Sequence, residues 1–211
     1  ASSAWDGYAY MPRLEVQRQG SMSKPQAALY DKIAATAVDS KGKPLRSRMD
    51  PETGALLGPF PLMVLNPTLG EDLLSLLLHL RFNSSTPRVT ETVILYMARR
   101  YRADYVWCAH ALRVSLAAGV SEATVAALQR GEEPPDLLPD AAAALALARE
   151  ASDGVGPDAV SAATYRRAVT ELGEIGVFEI ITAMGYYSLL SQLVNVFREP
   201  CPKGMSSPFD T

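Results

Sequence analysis

Residues 86–119 read TPRVTETVILYMARRYRADYVWCAHALRVSLAAG and carry the clearest signals for the fold. Thr86-Pro87 is typical of a helix start, because threonine caps free backbone N–H groups and proline fits the first turn. The apolar residues that follow recur with a helical rather than an alternating period. We expect one helix to end near Arg102. Ala103-Asp104 then starts a second helix, which contains His110 and ends at Gly119. Glycine is suited to the left-handed backbone conformation at a helix C-terminus.

The same signals recur along the rest of the chain and predict an all-α protein of about seven or eight helices. We find no convincing strand and no tandem repeat. The remaining helices are predicted to start or lie at Ser23-Pro25, Asn66-Pro67 to Phe82, Ser121 to Gly131, Ala141 to Ala151, Ser161 onward, and a long apolar helix ending at Glu199-Pro200.

Length and composition indicate one domain over residues 1–211. The chain is 48% hydrophobic and 20% charged, which is close to an ordinary globular protein with one substantial core. Three segments lie outside the predicted helical body: an N-terminal extension at 1–22, a long loop at 39–61 and a tail at 200–211. A long loop within a compact domain is uncommon unless it is functional or disordered, so we expect a lid or a subunit contact at 39–61.

Charge and cysteine content exclude several classes. A net charge of -3 and a pI near 5.5 leave no chain-wide basic field, which argues against a nucleic-acid binder. Cys108 and Cys201 are too few and too far apart for a disulfide framework or the usual zinc spacing, so we expect a reducing, cytoplasmic location and no metal. Residues 177–197 are long enough to cross a bilayer, but Glu179 and several amides favour a buried core or interface helix and no membrane partner.

His110 is the first candidate for chemistry, since histidine can take and give a proton near neutral pH. It is one of two histidines, and Glu91 lies nineteen positions upstream on the preceding helix. Two interpretations stay open: an acid–base pair, or a histidine that satisfies a core hydrogen bond beside a glutamate that points to water. If Glu91 is held at a pocket edge, Arg88, Arg99 or a water-mediated contact with His110 are its possible partners.

Helical spacing separates the neighbours of His110. Trp107 is three residues away and shares its face, whereas Cys108 is two away and points in nearly the opposite direction. Cys108 is therefore a poor nucleophilic partner and is interpreted as a small buried hydrophobe. Tyr186 and Tyr187 follow Gly185, and they either orient a substrate carbonyl or form a packed aromatic pair.

The order and spacing of a set of short motifs resemble the carboxymuconolactone decarboxylase and AhpD-like alkylhydroperoxidase superfamily. The resemblance covers most of the chain. It implies an AhpD-like helical bundle that forms a homo-oligomer, a dimer, trimer or hexamer. The motifs are Leu80-Arg-Phe82, Thr90-Glu-Thr-Val-Ile-Leu95, Ala98-Arg-Arg100, Tyr105-Val-Trp107, His110, Ala118-Gly119, Gly176-Val-Phe-Glu179 and Gly185-Tyr-Tyr187 with Asn195.

One departure from the family separates its two branches. In the peroxidase branch a CxxC pair falls seven and four residues before the histidine, and this chain has Ala103 and Val106 there. A dithiol–disulfide cycle at these positions is impossible, whereas the spacing of Glu91 and His110 is kept. The resemblance therefore implies the decarboxylase-like branch.

The decarboxylase-like branch implies a cofactor-free lyase or isomerase that acts on a small carboxylated lactone or a related enolisable acid. In that interpretation His110 is the acid–base group and Glu91 orients it, and Trp107, Tyr186 and Tyr187 contact the substrate. Arg99 is the chosen carboxylate ligand, with Arg81, Arg100 and Arg113 as further candidates. Two alternatives remain: a peroxidase that uses the single thiol of Cys108, and a non-catalytic oligomeric member.

Overall fold

Helices make up the regular structure of the chain in a computed structural model that describes residues 12–15, 19–37, 45 and 47–209. The all-α prediction is confirmed. In the described part, β-structure is limited to an isolated bridge between Met49 and Leu56. Residues 1–11, 16–18, 38–44, 46 and 210–211, which belong mainly to the predicted extension, loop and tail, lie outside the described residues. The helices are α1 Lys24–Ala35, α2 Phe60–Leu65, α3 Pro67–Phe82, α4 Pro87–Arg100, α5 Asp104–His110, α6 Val114–Ala117, α7 Glu122–Arg130, α8 Pro139–Asp153 and α9 Ala162–Phe197.

Several predicted helix starts carry the expected side-chain cap, although the Thr86 side chain makes no capping hydrogen bond at the start of α4. The side chain of Asn66 accepts from the Leu69 N–H at 3.3 Å, and Ser121 accepts from the Thr124 N–H at 2.9 Å. Each bond satisfies a backbone donor that has no partner within the first helical turn. At the other end of α7, Gly131 takes a left-handed conformation with φ 77°. Local signals therefore set these boundaries, as predicted.

α4 is the central helix of the molecule. It packs against α5, α7, α8 and α9, and its side chains from Val89 to Leu95 are all buried. The core extends from α4 without interruption to α1, α2, α3, α8 and α9. A helix that is covered on most sides can hold a polar side chain away from water, which is the setting of Glu91.

α9 contains a break near its start. Gly173 has φ 69° and ψ 171°, a backbone conformation that is essentially restricted to glycine. The predicted helix from Ser161 and the predicted apolar helix therefore follow one another across this glycine. By length and composition, α9 is the one helix among the described residues that could cross a membrane, and 44% of its most apolar stretch is buried inside the fold. A buried core helix passes the same test.

Two predicted boundaries are wrong. The segment from His110 to Gly119 is not one helix, because α5 ends at His110 and α6 begins at Val114 after an irregular turn. This turn lets Val114, like His110, line one cavity. The predicted loop at 39–61 also extends too far, since α2 already begins at Phe60, where apolar side chains bury against the core.

Candidate active site

Glu91 and His110 form a direct buried pair. His110 Nδ1 lies 2.8 Å from Glu91 Oε2, and the side chains are 14% and 9% exposed respectively. The Ser115 hydroxyl donates to the same carboxylate oxygen at 3.4 Å. The interpretation of Glu91 as a solvated residue is therefore wrong. Neither suggested arginine is its partner, because Arg88 pairs with Asp140 at 2.6 Å and Arg99 donates to the carbonyl of Gln129; His110 is the partner, by a direct contact rather than through water.

The contact with Glu91 sets the roles of the two imidazole nitrogens. A carboxylate only accepts, so Nδ1 carries the hydrogen and Nε2 is left with a lone pair when the ring is neutral. The hydroxyl of Tyr187 lies 3.4 Å from Nε2, and the two rings meet edge to face with centroids 5.3 Å apart. Burial, together with the charge of Glu91, raises the pKa of Tyr187 well above its usual value. Tyr187 is thus a neutral phenol that donates a hydrogen bond.

These groups line a cavity of about 480 Å³, which is large enough for a small organic molecule. Its apolar wall comes from α3, α5, α6 and α9. Its polar lining combines the Glu91–His110 pair with three arginines. The charged and hydrogen-bonding side chains of the lining include Glu91, His110, Tyr187, Arg48, Arg81 and Arg113.

Arg48 is a buried cation on the cavity wall that was not predicted. It is 6% exposed, and its guanidinium donates to the carbonyl and the hydroxyl oxygens of Thr36 at 3.0 and 2.8 Å. Burial, and secondarily the charge of Arg81, lowers the pKa of Arg48 to about 10, so it remains charged at neutral pH. Arg48 lies in the segment predicted as a loop. In a loop, the sequence alone does not distinguish an arginine that lines a cavity from one that points to water.

The backbone around Arg48 is fixed by contacts with α5. The Tyr105 hydroxyl donates to the carbonyl of Ser47, and the Leu57 N–H donates to the carbonyl of Arg48 at 2.9 Å. Gly58, at φ 61°, lies against the Tyr105 ring, where any added side chain would overlap the ring. Described residues of this segment, predicted as a lid or a subunit contact, therefore line the cavity and are held in place by these contacts.

Arg81 is a second cation on the cavity wall. Its guanidinium stacks 5.4 Å from the centroid of the Phe82 ring. Among the described residues, neither Arg81 nor Arg48 has a carboxylate within 4.0 Å, and no acceptor lies within hydrogen-bond distance of the buried Nε of Arg81. Burying a cation without a counter-ion is unfavourable, so the buried Arg48 with the half-buried Arg81 makes the cavity suited to an anion.

Three of the expected substrate ligands lie outside the cavity. Trp107 packs edge to face against Phe209, with ring centroids 5.2 Å apart, because a three-residue step on a helix rotates a side chain by roughly 60° away from His110. Arg99 donates to the carbonyl of Gln129 at 2.8 Å. Tyr186 donates to the carbonyl of Leu73 at 2.7 Å. Of the predicted set, the structure brings together Glu91, His110 and Tyr187.

The other arginine and histidine candidates divide in the same way. Arg81 and Arg113 line the cavity, whereas Arg100 pairs with Asp153 at 2.6 Å. His79 is exposed at the end of α3 and lies outside the cavity. The sequence could not separate these arginines, since each lies in a segment predicted to be helical, at a position equally compatible with a surface or an interior contact.

The cysteines are paired. Cys108 and Cys201 form a disulfide with 6.0 Å between their Cα atoms, although they are 93 residues apart in sequence. The interpretation of Cys108 as a buried free cysteine is wrong, because the chain after α9 returns to α5. At the positions of the family's redox pair, Ala103 is buried in the core and Val106 lines the cavity.

Metal ligands do not cluster in the described part of the chain: no three His, Cys, Asp or Glu side chains there could hold one ion. Comparison of the chain with protein-family models, with curated proteins and with solved structures gave no match.

Proposed function

We propose that this protein is a cofactor-free lyase or isomerase that performs acid–base chemistry on a small carboxylated lactone or a related enolisable acid. One observation carries the proposal: the buried Glu91–His110 pair opens onto a cavity that also contains Arg48 and Arg81. The resemblance of the motif order to the carboxymuconolactone decarboxylase-like family supports the same conclusion.

His110 is the acid–base group. Its Nε2 accepts a proton from a carbon next to a carbonyl, or in the protonated form gives one to the dienolate left after carbon dioxide departs. Glu91 accepts from Nδ1 throughout, which keeps Nε2 directed to the cavity and stabilises the imidazolium. Glu91 itself is a positioning residue, since its contacts are with His110 and Ser115.

Tyr187 is placed to bind the substrate carbonyl. Its hydroxyl is close to Nε2 and is kept protonated by burial. A neutral donor of this kind stabilises the negative charge that develops on an enolate oxygen.

Arg48 and Arg81 bind the substrate carboxylate. A guanidinium can form two parallel hydrogen bonds with a carboxylate, and burial strengthens the attraction. The two cations stabilise a bound carboxylate. They therefore strengthen substrate binding but oppose decarboxylation of the carboxylate that they hold. Decarboxylation therefore requires that the departing group lie away from the arginines, so a substrate with one retained carboxylate fits the cavity best.

The other candidate functions receive less support. In the disulfide form Cys108 offers no free thiol for the peroxidase alternative. A non-catalytic member would have its histidine sealed in the core, whereas His110 faces a cavity. A homo-oligomer remains part of the proposal, because α9 leaves apolar side chains exposed.

Proton exchange tests the assignment of His110. Enolisable keto acids and carboxylated lactones are incubated with the protein in deuterated water, and incorporation at carbon is followed by NMR. We expect His110→Gln to lower the exchange rate by about 10²- to 10⁴-fold, the range for a lost general acid–base group. His79→Gln, at an exposed position outside the cavity, is the matched control. Exchange at the wild-type rate in His110→Gln, with the fold intact by circular dichroism, would refute the assignment.

A further inference from the structure

The chain after α9 lies across the outer side of α5. We call residues 200–209 the C-terminal strap. Near its start, the Cys201–Cys108 disulfide bonds the strap to α5. At its end, the Phe209 ring packs against Trp107, with ring centroids 5.2 Å apart. Between these points the carbonyl of Pro208 accepts from Gln129 at 3.0 Å. The strap thus covers the side of α5 opposite the cavity.

α5 depends on its neighbours for its position. It spans Asp104–His110, begins without a side-chain cap and is followed by an irregular turn. A helix of two turns is not stable alone, so packing decides where it lies. α4 and α9 pack on its inner side, and Trp107 is 4% exposed beneath Phe209 on the outer side. Removing the strap leaves one of these two sides uncovered.

The position of α5 in turn fixes the acid–base pair. His110 is its last residue, two positions beyond Cys108, while Glu91 belongs to the well-buried α4. The 2.8 Å contact between Nδ1 and Oε2 therefore spans two helices of unequal stability. A small movement of α5 lengthens this contact without disturbing α4.

We infer that Cys108 and Cys201 form a thiol–disulfide exchange site whose oxidised state positions His110. Both cysteines are partly exposed, so a low-molecular-weight thiol can reach the bond. A thiolate attacks one sulfur and forms a mixed disulfide, and the other cysteine leaves as a thiolate. A second thiol then releases the first cysteine. The protein gains two electrons and two protons, two thiols become one external disulfide, and oxidised glutathione reverses the reaction.

Reduction leaves the strap held by weaker contacts. The Gln129–Pro208 hydrogen bond is exposed to water, and so is the Lys203–Glu52 ion pair. Phe209 then separates from Trp107 for part of the time, and the end of α5 that bears His110 frays. Cys108 and Cys201 act through His110 and are positioning residues rather than catalytic ones.

Nitrogen-15 NMR of the two histidines tests this inference without any substrate. The full chain is labelled at histidine, His79 serves as the internal reference, and His110→Gln assigns the signals. In the oxidised protein we expect His110 to carry its hydrogen on Nδ1. Dithiothreitol should expose two thiols, convert His110 to a mixture of tautomers and increase hydrogen exchange in residues 104–110 by at least tenfold. Oxidised glutathione should restore the first state.

Variants separate positioning from general destabilisation. Cys201→Ser should show the His110 tautomer mixture and the faster hydrogen exchange without any reductant, and dithiothreitol should not change either. Phe209→Ala should shift the His110 tautomer in part while the disulfide remains. A merely structural disulfide would lower the melting temperature on reduction and leave the His110 signals unchanged. That result, or two free thiols in protein purified without reductant, would overturn the inference. Neither outcome depends on whether the protein catalyses proton exchange, so the two proposals fail separately.

Discussion

At the scale of single residues, the burial of Glu91 is the feature that requires an explanation. A buried carboxylate such as that of Glu91 is unfavourable unless donors reach it. His110 and Ser115 supply two donors to the same oxygen, at 2.8 and 3.4 Å. A histidine that merely filled the core would need one acceptor and no cavity. The arrangement around Glu91 is therefore better explained by a requirement for an oriented imidazole at a cavity wall.

Arg81 provides a prediction about substrate binding. Arg81→Gln removes a cation from the cavity wall, so KM for a carboxylated substrate should rise by roughly 10- to 150-fold, equivalent to about 1.5–3 kcal/mol for a charged hydrogen bond. The kcat should change less than KM, because in the proposed reaction Arg81 holds the carboxylate and His110 transfers the proton. Steady-state kinetics with Arg99→Gln as control measures this, and a KM equal to that of the wild type would contradict the anion site.

Glu199 provides a prediction about pH. Burial raises the pKa of its carboxyl from 4.5 to about 7, although the Gly58 N–H partly offsets the effect. The folded state therefore holds this proton more tightly than the unfolded state. Its contribution to stability is full below pH 4.5 and is lost as the pH rises toward 7.

The replacement Glu199→Gln should remove that loss. We expect melting temperatures for the variant above those of the wild type at pH 8, with a difference that shrinks toward pH 4.5. Differential scanning fluorimetry across this range measures it. Glu171→Gln, on the exposed surface, is the comparison. A constant difference at every pH would mean that burial of the charge is not the cause.

At the scale of helices, the prediction succeeded where local signals act alone. Asn66 and Ser121 cap their helices by contacts three residues away, which a sequence displays directly. The end of α5 at His110 and the early start of α2 depend instead on contacts between distant segments. Tyr105 bonding to Ser47, 58 residues away, is one of these. Such contacts produce no periodic pattern of residues, so the sequence does not predict them.

The break in α9 provides a prediction at this scale. Gly173→Ala places a side chain at φ 69°, and nothing lies within 4 Å of the added atom, so the cost is purely that of the backbone. We expect a loss of about 1–3 kcal/mol in the free energy of unfolding. Glu174→Ala, at the neighbouring exposed helical position, should be neutral or slightly stabilising. Urea unfolding compares the two variants. An equal effect of both would argue that α9 continues through Gly173 without a break.

At the scale of the whole molecule, the sequence predicted the helical class and the cavity residues Glu91, His110 and Tyr187, with Arg81 and Arg113 among its further candidates. It missed two contacts that bring distant segments to the cavity and to α5. Arg48 reaches the cavity from a segment far from α4, and Cys201 returns to Cys108 across 93 residues. Neither residue belongs to a motif, so only the folded arrangement reveals its partner.

α9 has an exposed apolar face, which we expect a second copy of the chain to cover. Ile175 and Phe178 are 72% and 71% exposed, and Leu189 and Val196 follow Ile175 by fourteen and twenty-one residues. A seven-residue spacing keeps these side chains on one face of a helix, the pattern by which helices pair. A second copy of the chain is the occupant that the proposed homo-oligomer requires.

We expect the protein to elute as an oligomer in size-exclusion chromatography with light scattering. The double variant Ile175→Glu and Phe178→Glu should be a monomer with unchanged helical content, because burying two carboxylates in the contact is unfavourable. Val155→Glu is the matched control, since Val155 is 94% exposed but lies in the loop after α8. If Val155→Glu dissociates the oligomer and the α9 variant does not, the contact lies elsewhere. A wild-type monomer at every concentration would remove the second copy as the partner of this face.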